Sequence, residues 1–197
     1  MPDIALTNGV MEEKCSVCNN TLTKFGSQPL KDGIACRKCV KEASEWLSAN
    51  EYMSMTVEDF RNHLTYRKQN LSLADKFVKN KAVIGRYILF IDNVHNAFVF
   101  TKKEDLKEDN PDIISLESVD TIKITEKKYY NSDTYDVFLN VALKNCPFKD
   151  MKIRINDFPA IEKSSSDYKR AIDLAYAYLD TLVKEGAGME RIKDERK

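Results

Sequence analysis

The spacing of hydrophobic residues changes along this chain, from a helical spacing of three to four positions to a strand spacing of two. Between positions 57 and 78 apolar residues recur every three or four positions, with Arg67 interrupting the stripe, and this spacing predicts a helix over about 57–78. Thr56 and Asp59 stand where the capping residues of that helix belong, with Asp59 as a shorter substitute for the usual Glu. Further along the chain the period changes to two, which is typical of strands with one buried face.

The period of two predicts several consecutive strands: Arg86–Ile91, Ala97–Thr101, Thr121–Glu126, Tyr135–Leu143 and Met151–Ile155. An amphipathic helix over Tyr168–Val183 follows them, and its apolar stripe consists of Tyr168, Ile172, Ala175, Leu179 and Leu182. Strands that pair with their chain neighbours and end in one closing helix indicate an α+β fold with a small bent antiparallel sheet or partial barrel. This order of elements is similar to that of a pleckstrin-homology module, although other α+β folds share it.

Four cysteines ahead of these elements form two C-x-x-C pairs, Cys15 with Cys18 and Cys36 with Cys39, separated by 17 residues. This spacing is typical of a zinc site with four thiolate ligands, and Asp32-Gly33 between the pairs indicates a hairpin turn. Four protein ligands close the coordination shell, so the ion is predicted to be structural. Disulfides, buried free thiols and iron remain as alternatives. A helix is predicted from Arg37 to Leu47.

Charge and composition narrow the function only slightly. The 197 residues carry 31 basic and 31 acidic side chains, so no global attraction to nucleic acid or to an anionic membrane is expected. Residues 11–50 contain six basic and five acidic groups; with four thiolates and one Zn²⁺ their net charge becomes about −1, which offers little phosphate neutralisation. No apolar run is long enough to span a membrane, and the first residues lack the features of a secretory signal. Paired cysteines without a disulfide framework favour a cytoplasmic location.

The remaining residues that could bind a metal or take part in catalysis have no suitable partner residue at the sequence spacing that such a site requires. Cys146 stands alone and is interpreted as a turn residue rather than a reactive thiol. His63 and His95 are interpreted as packing or surface residues. The acidic residues between 104 and 109 indicate a solvated loop, and the basic and aromatic residues at 127–130 indicate a strand end with packed tyrosines, the alternative being contact with phosphates or bases.

The finger resembles that of a family of bacterial proteins, some of them carried by phages, for which no activity is established. The likeness rests on Cys15-Ser16-Val17-Cys18, on Lys24-Phe25-Gly26 and on Leu30–Cys39 with its Lys31-Asp32-Gly33 turn; it continues at Thr56–Asp59, Tyr66-Arg67 and Asn110–Ile114. Asn19 replaces a glycine that is common in that family after the second cysteine. The resemblance implies a metal-binding finger at the head of the chain, a connecting helix and a β segment.

Together these patterns predict three parts: a small treble-clef or ribbon-like zinc finger over 12–48, a linker helix over 56–79, and an antiparallel β module with its closing helix over 82–186. The expected function is that of a non-catalytic adaptor that binds zinc and presents surfaces to a protein partner. A nucleic-acid-binding regulator that acts through the finger is the first alternative. A β module that binds a small ligand or acts as an enzyme is the second.

Overall fold

Antiparallel pairing joins all the strands described in this computed structural model. The structure describes residues 13–23, 25–157 and 159–186, so residue 12, where the finger is predicted to begin, and Lys24 of the resemblance lie outside it. The chain divides into two units: the described residues up to Ala43 with Ser48–Leu64, and Ser44–Leu47 with the described residues from Thr65 onward. The mixed α+β class is confirmed, and the division between the units falls inside the predicted linker helix.

The first unit contains short elements around the cysteines. In chain order they are β1 (Gln28–Pro29), β2 (Ile34–Ala35), α1 (Arg37–Glu42), α2 (Ala49–Ser54) and the first part of α3 (Val57–Ala74). The hairpin predicted at Asp32-Gly33 is present, because β1 pairs with β2 and the Leu30 N–H donates to the Gly33 carbonyl at 2.9 Å. Helix α1 ends at Glu42 instead of reaching Leu47.

No element is predicted between the finger that ends at 48 and the linker helix that begins at 56, but Ala49–Ser54 form helix α2. The Glu51 N–H donates to Ser48 Oγ at 3.3 Å, and the Ser48 N–H donates to the Glu51 carboxylate at 2.8 Å. This is a capping box, but α2 has only six residues, too few to show a hydrophobic period. The capping predicted for α3 is confirmed: the Asp59 N–H donates to Thr56 Oγ1 at 3.1 Å and the Thr56 N–H donates to Asp59 at 2.9 Å.

The second unit carries two sheets and a long final helix. Its elements after α3 are β3 (Lys81–Ile84), β4 (Ile88–Asp92), β5 (Ala97–Thr101), α4 (Leu106–Asp109), β6 (Ile114–Ser115), β7 (Val119–Lys128), β8 (Thr134–Leu143), β9 (Asp150–Arg154), β10 (Ile161–Glu162) and α5 (Ser166–Glu185). One sheet has the order β3-β4-β5-β6, and in the other β8 pairs with β7, β9 and β10. The five predicted strands are present. Those that the sequence did not predict, together with α4, span at most four residues each.

The sheet that contains β4 and β5 is buried on both faces. Leu89, Ile91, Phe98 and Phe100 are fully buried on one face, and on the other face Phe90 and Val99 pack with Leu106 of α4. Two buried faces explain why these strands read as nearly continuous apolar runs.

The interruption of the α3 stripe at Arg67 has a structural cause. Arg67 is buried and donates from Nη1 to Asp112 at 2.8 Å, while Ser44 Oγ donates to the other oxygen of Asp112 at 2.7 Å. One turn along the helix, the Asn70 amide donates to the Pro111 carbonyl at 2.6 Å and accepts from the Ile113 N–H at 3.2 Å. Burial raises the pKa of Asp112, and the positive charge of Arg67 opposes this shift. Polar residues therefore occupy the inner face of α3 here, because they bind the chain ahead of β6.

Helix α5 is present as predicted, but its buried face is rotated by about one residue. The buried residues are Ala171, Ala175, Tyr178 and Leu182, whereas Ile172 and Leu179 of the predicted stripe are only half-buried. The ring of Tyr178 meets Phe100 edge-on at 5.4 Å between centroids, and its hydroxyl donates to the Tyr87 carbonyl. Tyr178, which is not in the predicted stripe, belongs to the core because a buried acceptor satisfies its hydroxyl.

This rotation generates a test of the helix packing. Leu182→Ala should lower the free energy of unfolding by about 2–5 kcal/mol, since Leu182 is fully buried. Leu179→Ala, the matched control one turn earlier, should cost clearly less because Leu179 is half-buried. Urea denaturation of the full chain measures both values, and equal costs would contradict the observed orientation of α5.

Gly85, between β3 and β4, provides a second test. A Cβ atom there would lie 2.4 Å from Tyr178 Oη and 2.5 Å from Leu174 Cδ2, so Gly85→Ala should destabilise the protein by about 1–3 kcal/mol through overpacking. Tyr178→Phe removes the nearest atom and by itself should cost about 1 kcal/mol for the lost hydrogen bond. The double variant should therefore lose less stability than the sum of the two single variants. Strictly additive costs in denaturation curves would show that Tyr178 does not impose the glycine.

Candidate metal centre

The four predicted ligand cysteines meet at one point of the first unit. Cys15 and Cys18 lie in a turn whose ends are joined by a bridge between Lys14 and Thr21. Cys36 directly precedes α1 and Cys39 lies in the first turn of that helix. The hairpin β1–β2, which ends at Ala35, therefore positions the second cysteine pair beside the first. All four Sγ atoms lie within 4.8 Å of one another.

The distances between the sulfur atoms fit one tetrahedral ion. The Sγ atoms of Cys15 and Cys39 are 4.0 Å apart, those of Cys18 and Cys36 3.6 Å, and those of Cys36 and Cys39 3.7 Å. Four sulfurs at about 2.3 Å from a central zinc ion would form a tetrahedron with edges of about 3.8 Å. Within the residues that the structure describes, these cysteines form the one cluster of His, Cys, Asp or Glu side chains able to hold a metal ion.

The surroundings favour negatively charged sulfur at Cys15. Its side chain is fully buried, which raises its pKa, but N–H groups of Cys18, Cys36 and Val17 point at the sulfur and bring the pKa down to about 7. The contact from the Cys36 N–H measures 3.2 Å. Burial and the neighbouring thiols Cys18 and Cys36 raise the pKa of Cys39. Thiols packed this closely oppose each other's ionisation unless a cation lies between them.

Asn19 closes the turn of the first cysteine pair in a left-handed conformation. Its φ is +63°, and its N–H donates to the Cys15 carbonyl at 2.9 Å. Glycine adopts this conformation without strain and asparagine tolerates it better than most residues do. This explains why the asparagine can stand where the resembling family commonly has glycine.

The Asp32-Gly33 turn does more than reverse the chain. The Val57 N–H, at the start of α3, donates to the Asp32 carboxylate at 2.7 Å. A Cβ atom at Gly33 would lie 2.6 Å from Ser16 Oγ and 2.7 Å from Val57 Cγ2. The turn thus joins the first cysteine loop to α3, a role that the sequence did not predict because the contact spans 25 residues.

The remaining residues considered in the sequence do not join the site. Cys146 is partly buried and its pKa is raised to about 11, chiefly by burial. His63 is buried with its ring stacked on Phe60, and His95 contacts the buried Asp92 through Nδ1 at 2.6 Å. Within the acidic cluster, Asp109 accepts a hydrogen bond from Thr101, so this segment is more ordered than the predicted solvated loop.

A groove of about 750 Å³ lies beside the start of α5 in the second unit. Its lining includes two cationic side chains, Arg86 and Arg170. Arg170 forms an ion pair with Asp167, and Arg86 donates to the Asn156 carbonyl at 3.2 Å. Both cations therefore already have partners within the protein.

Comparison with known proteins places the cysteines in a recognised domain. Residues 13–63 match the family described as a domain of unknown function, DUF4428. This match contains all four cysteines and ends inside α3. No curated protein and no solved structure matches the chain. Among the described residues, no helix is long and apolar enough to cross a membrane.

The cluster predicts a metal content that depends on each thiol. The full chain should bind one metal ion, and each of four single variants should hold well below one ion per chain, because a hydroxyl is a poor ligand at a thiolate site: Cys15→Ser, Cys18→Ser, Cys36→Ser and Cys39→Ser. Cys146→Ser is the matched control and should retain a full complement. Elemental analysis after gel filtration measures the content, and full occupancy in the ligand variants would contradict the site.

Proposed function

We propose that this protein is a non-catalytic interaction protein whose N-terminal finger is held together by one structural zinc ion and which presents surfaces to a protein partner. The zinc part of this proposal rests on the close packing of four thiols, whose Sγ atoms all lie within 4.8 Å of one another, three of the separations being 3.6–4.0 Å. Four thiolates fill the coordination shell of zinc, whereas a catalytic zinc ion keeps one position for water or substrate. The ion would therefore act as a crosslink.

The size of the first unit supports a structural role for the ion. Its buried apolar side chains are few and several of them are the cysteines themselves: Cys15, Leu30, Ala35, Cys36, Cys39, Ala43, Tyr52 and Phe60. Units this small rarely fold on apolar burial alone. Metal binding would supply part of the folding free energy of the unit.

The arrangement of elements supports two finer fold assignments. A cysteine turn, a hairpin and a second cysteine pair at the start of a helix are the parts of a treble-clef finger. Antiparallel strands in two sheets, closed by the single helix α5, favour a pleckstrin-homology-like β module. Both labels describe architecture and carry no activity with them.

Three observations argue, in turn, against catalysis by Cys146, against binding of a small anion in the groove and against nucleic-acid binding by the finger. The pKa of the Cys146 thiol is raised, so it is a poor nucleophile at neutral pH. The cations of the groove are engaged by Asp167 and by the Asn156 carbonyl. Arg61, on the first turns of α3, donates to the Ser16 carbonyl and lies near Glu58, which reduces the positive charge that the finger could offer to nucleic acid.

The metal half of this proposal is tested on the full chain as purified without added metal. We expect one zinc ion per chain, and removal by a strong chelator should abolish amide protection in residues 13–64 and restore it when zinc is returned. Iron in stoichiometric amount would replace zinc as the assignment. A first unit that stays fully protected without metal would contradict a structural role.

The interaction half is tested by crosslinking the tagged full chain in its native cells. We expect the same protein partner to be recovered reproducibly, and recovery should fall when the tagged protein carries Cys36→Ser but not when it carries Cys146→Ser. Recovery of nucleic acid instead, with an affinity that falls steeply with salt, would favour the nucleic-acid alternative.

A further inference from the structure

One face of the second sheet of the β module gathers basic side chains. The ladders place Lys123 opposite Asn140 and Asn140 opposite Lys152, and in the next row Thr125 faces Phe138, which faces Arg154. Lys127 lies one row further on β7, opposite Asp136. The name basic sheet face is used below for Lys123, Thr125, Lys127, Phe138, Asn140, Lys152 and Arg154.

Strand alternation separates this face from the core. Val137, Leu139 and Val141 of β8, and Met151 and Ile153 of β9, point to the opposite side and are almost completely buried. Helix α5 covers that opposite side, where Tyr168 packs against Tyr135 at 6.1 Å between ring centroids. On the basic sheet face, in contrast, Lys123, Thr125, Lys127 and Lys152 are exposed and Phe138 is half-buried.

The lysines of this face lack the carboxylate partners that six other lysines of the second unit have. Lys81, Lys102, Lys103, Lys107, Lys128 and Lys163 each form an ion pair with a carboxylate. Lys123, Lys127 and Lys152 form none with any residue that the structure describes. Lys152 instead lies 4.5 Å from the centre of the Phe138 ring, and Lys127 lies 5.1 Å from the ring of Tyr129.

The fourth cation of the face is already neutralised. Arg154 donates to the buried Asp136 at 2.6 Å, and Tyr129 donates to the same carboxylate at 2.7 Å. Burial raises the pKa of Asp136, but these donors, with Asn156, hold it below its ordinary value. The unpaired positive charge is therefore that of the three lysines, which lie around one aromatic ring.

We propose that the basic sheet face binds an acidic segment of a partner protein, a segment that carries carboxylates on either side of an apolar side chain. Lys123 and Lys152 lie two strand spacings apart, about 10 Å, so two carboxylates can meet them while an apolar group rests on Phe138. The charge of the partner follows from complementarity, since Lys123, Lys127 and Lys152 give this face positive charge that no carboxylate of the described residues pairs with. This inference rests on the proposed interaction role and names the chemistry of the partner.

Nucleic acid fits the face less well. Three lysines would neutralise about three phosphates, too few for tight binding at physiological salt. Phe138 is the one aromatic ring at the centre of the face, whereas single-stranded nucleic acid is bound by stacking successive bases on several rings.

The test uses isotope-labelled full chain and, as probe, a 12-residue peptide with blocked ends in which Glu and Leu alternate. Amide shifts in nuclear magnetic resonance spectra should be confined to β7, β8 and β9. The affinity should fall at least tenfold in the triple variant Lys123→Glu, Lys127→Glu, Lys152→Glu. A matched triple variant with the same change of net charge should stay within twofold of the natural chain: Lys76→Glu, Lys169→Glu and Lys184→Glu, all exposed and outside the face.

Other outcomes overturn the inference. Equal weakening by both triple variants would show attraction to net charge alone, and no shift on these strands would show that the face does not bind acidic segments. Tighter binding of oligothymidylate than of the peptide at the same residues would assign the face to nucleic acid. A triple Lys→Gln variant replaces the charge reversal if the latter fails to fold.

The two proposals can fail separately. If the crosslinked partner is recovered equally well by the natural chain and by the lysine triple variant, the interaction role stands and the face is not its site. If the peptide binds the face but no partner protein is recovered in cells, the binding chemistry stands and the proposed function fails.

Discussion

Four thiols within 4.8 Å of one another are the constraint on which the first unit depends. Such a cluster gathers negative charge as soon as its members ionise, and N–H groups such as that of Cys36 offset only part of this charge. The local geometry serves the cluster: Asn19 closes the first turn in a left-handed conformation, and Gly33 leaves room for Ser16 and Val57 to approach. A tetrahedral cation at the centre would turn mutual repulsion into the strongest attraction of the unit.

The second unit depends on a different polar interaction, the buried pair of Arg67 and Asp112. A buried pair of this kind stabilises only while both partners are present, because a single buried charge costs several kcal/mol. Ser44 adds a hydrogen bond to the other oxygen of Asp112, and it follows helix α1, which contains Cys39, by two residues. Tyr66-Arg67 and Asn110–Ile114, which carried the resemblance beyond the finger, meet in this network. These two segments, far apart in the chain, are therefore in contact within the second unit.

The sequence predicted features whose signal is local and long enough to read. Two C-x-x-C pairs identify the candidate metal site, and ten-residue strands such as β8 show the period of two clearly. Helix α2 was not predicted because six residues are too few to show a hydrophobic period, although Ser48 and Glu51 form a capping box that the sequence contains. The orientation of α5 was not predicted for another reason. The stripe was chosen by side-chain polarity, whereas Tyr178 is buried because Gly85 makes room for it and the Tyr87 carbonyl accepts a hydrogen bond from its hydroxyl. Those contacts span about 90 residues and leave no pattern in the local sequence.

The equal numbers of acidic and basic side chains give no information about how charge is distributed over the surface of the folded chain. Composition argued against polyanion binding because 31 positive charges balance 31 negative ones. In the folded chain, however, only some lysines pair with carboxylates. Glu45, Glu126 and Glu185, for example, pair with lysines of the second unit that lie outside the basic sheet face. Strand register leaves Lys123 and Lys152 in one row with the neutral Asn140 between them. Net charge governs long-range attraction, but pairing decides which cations remain for a partner at close range. A neutral protein can therefore carry a locally positive recognition surface, and this becomes visible only when the ladder that aligns its strands is known.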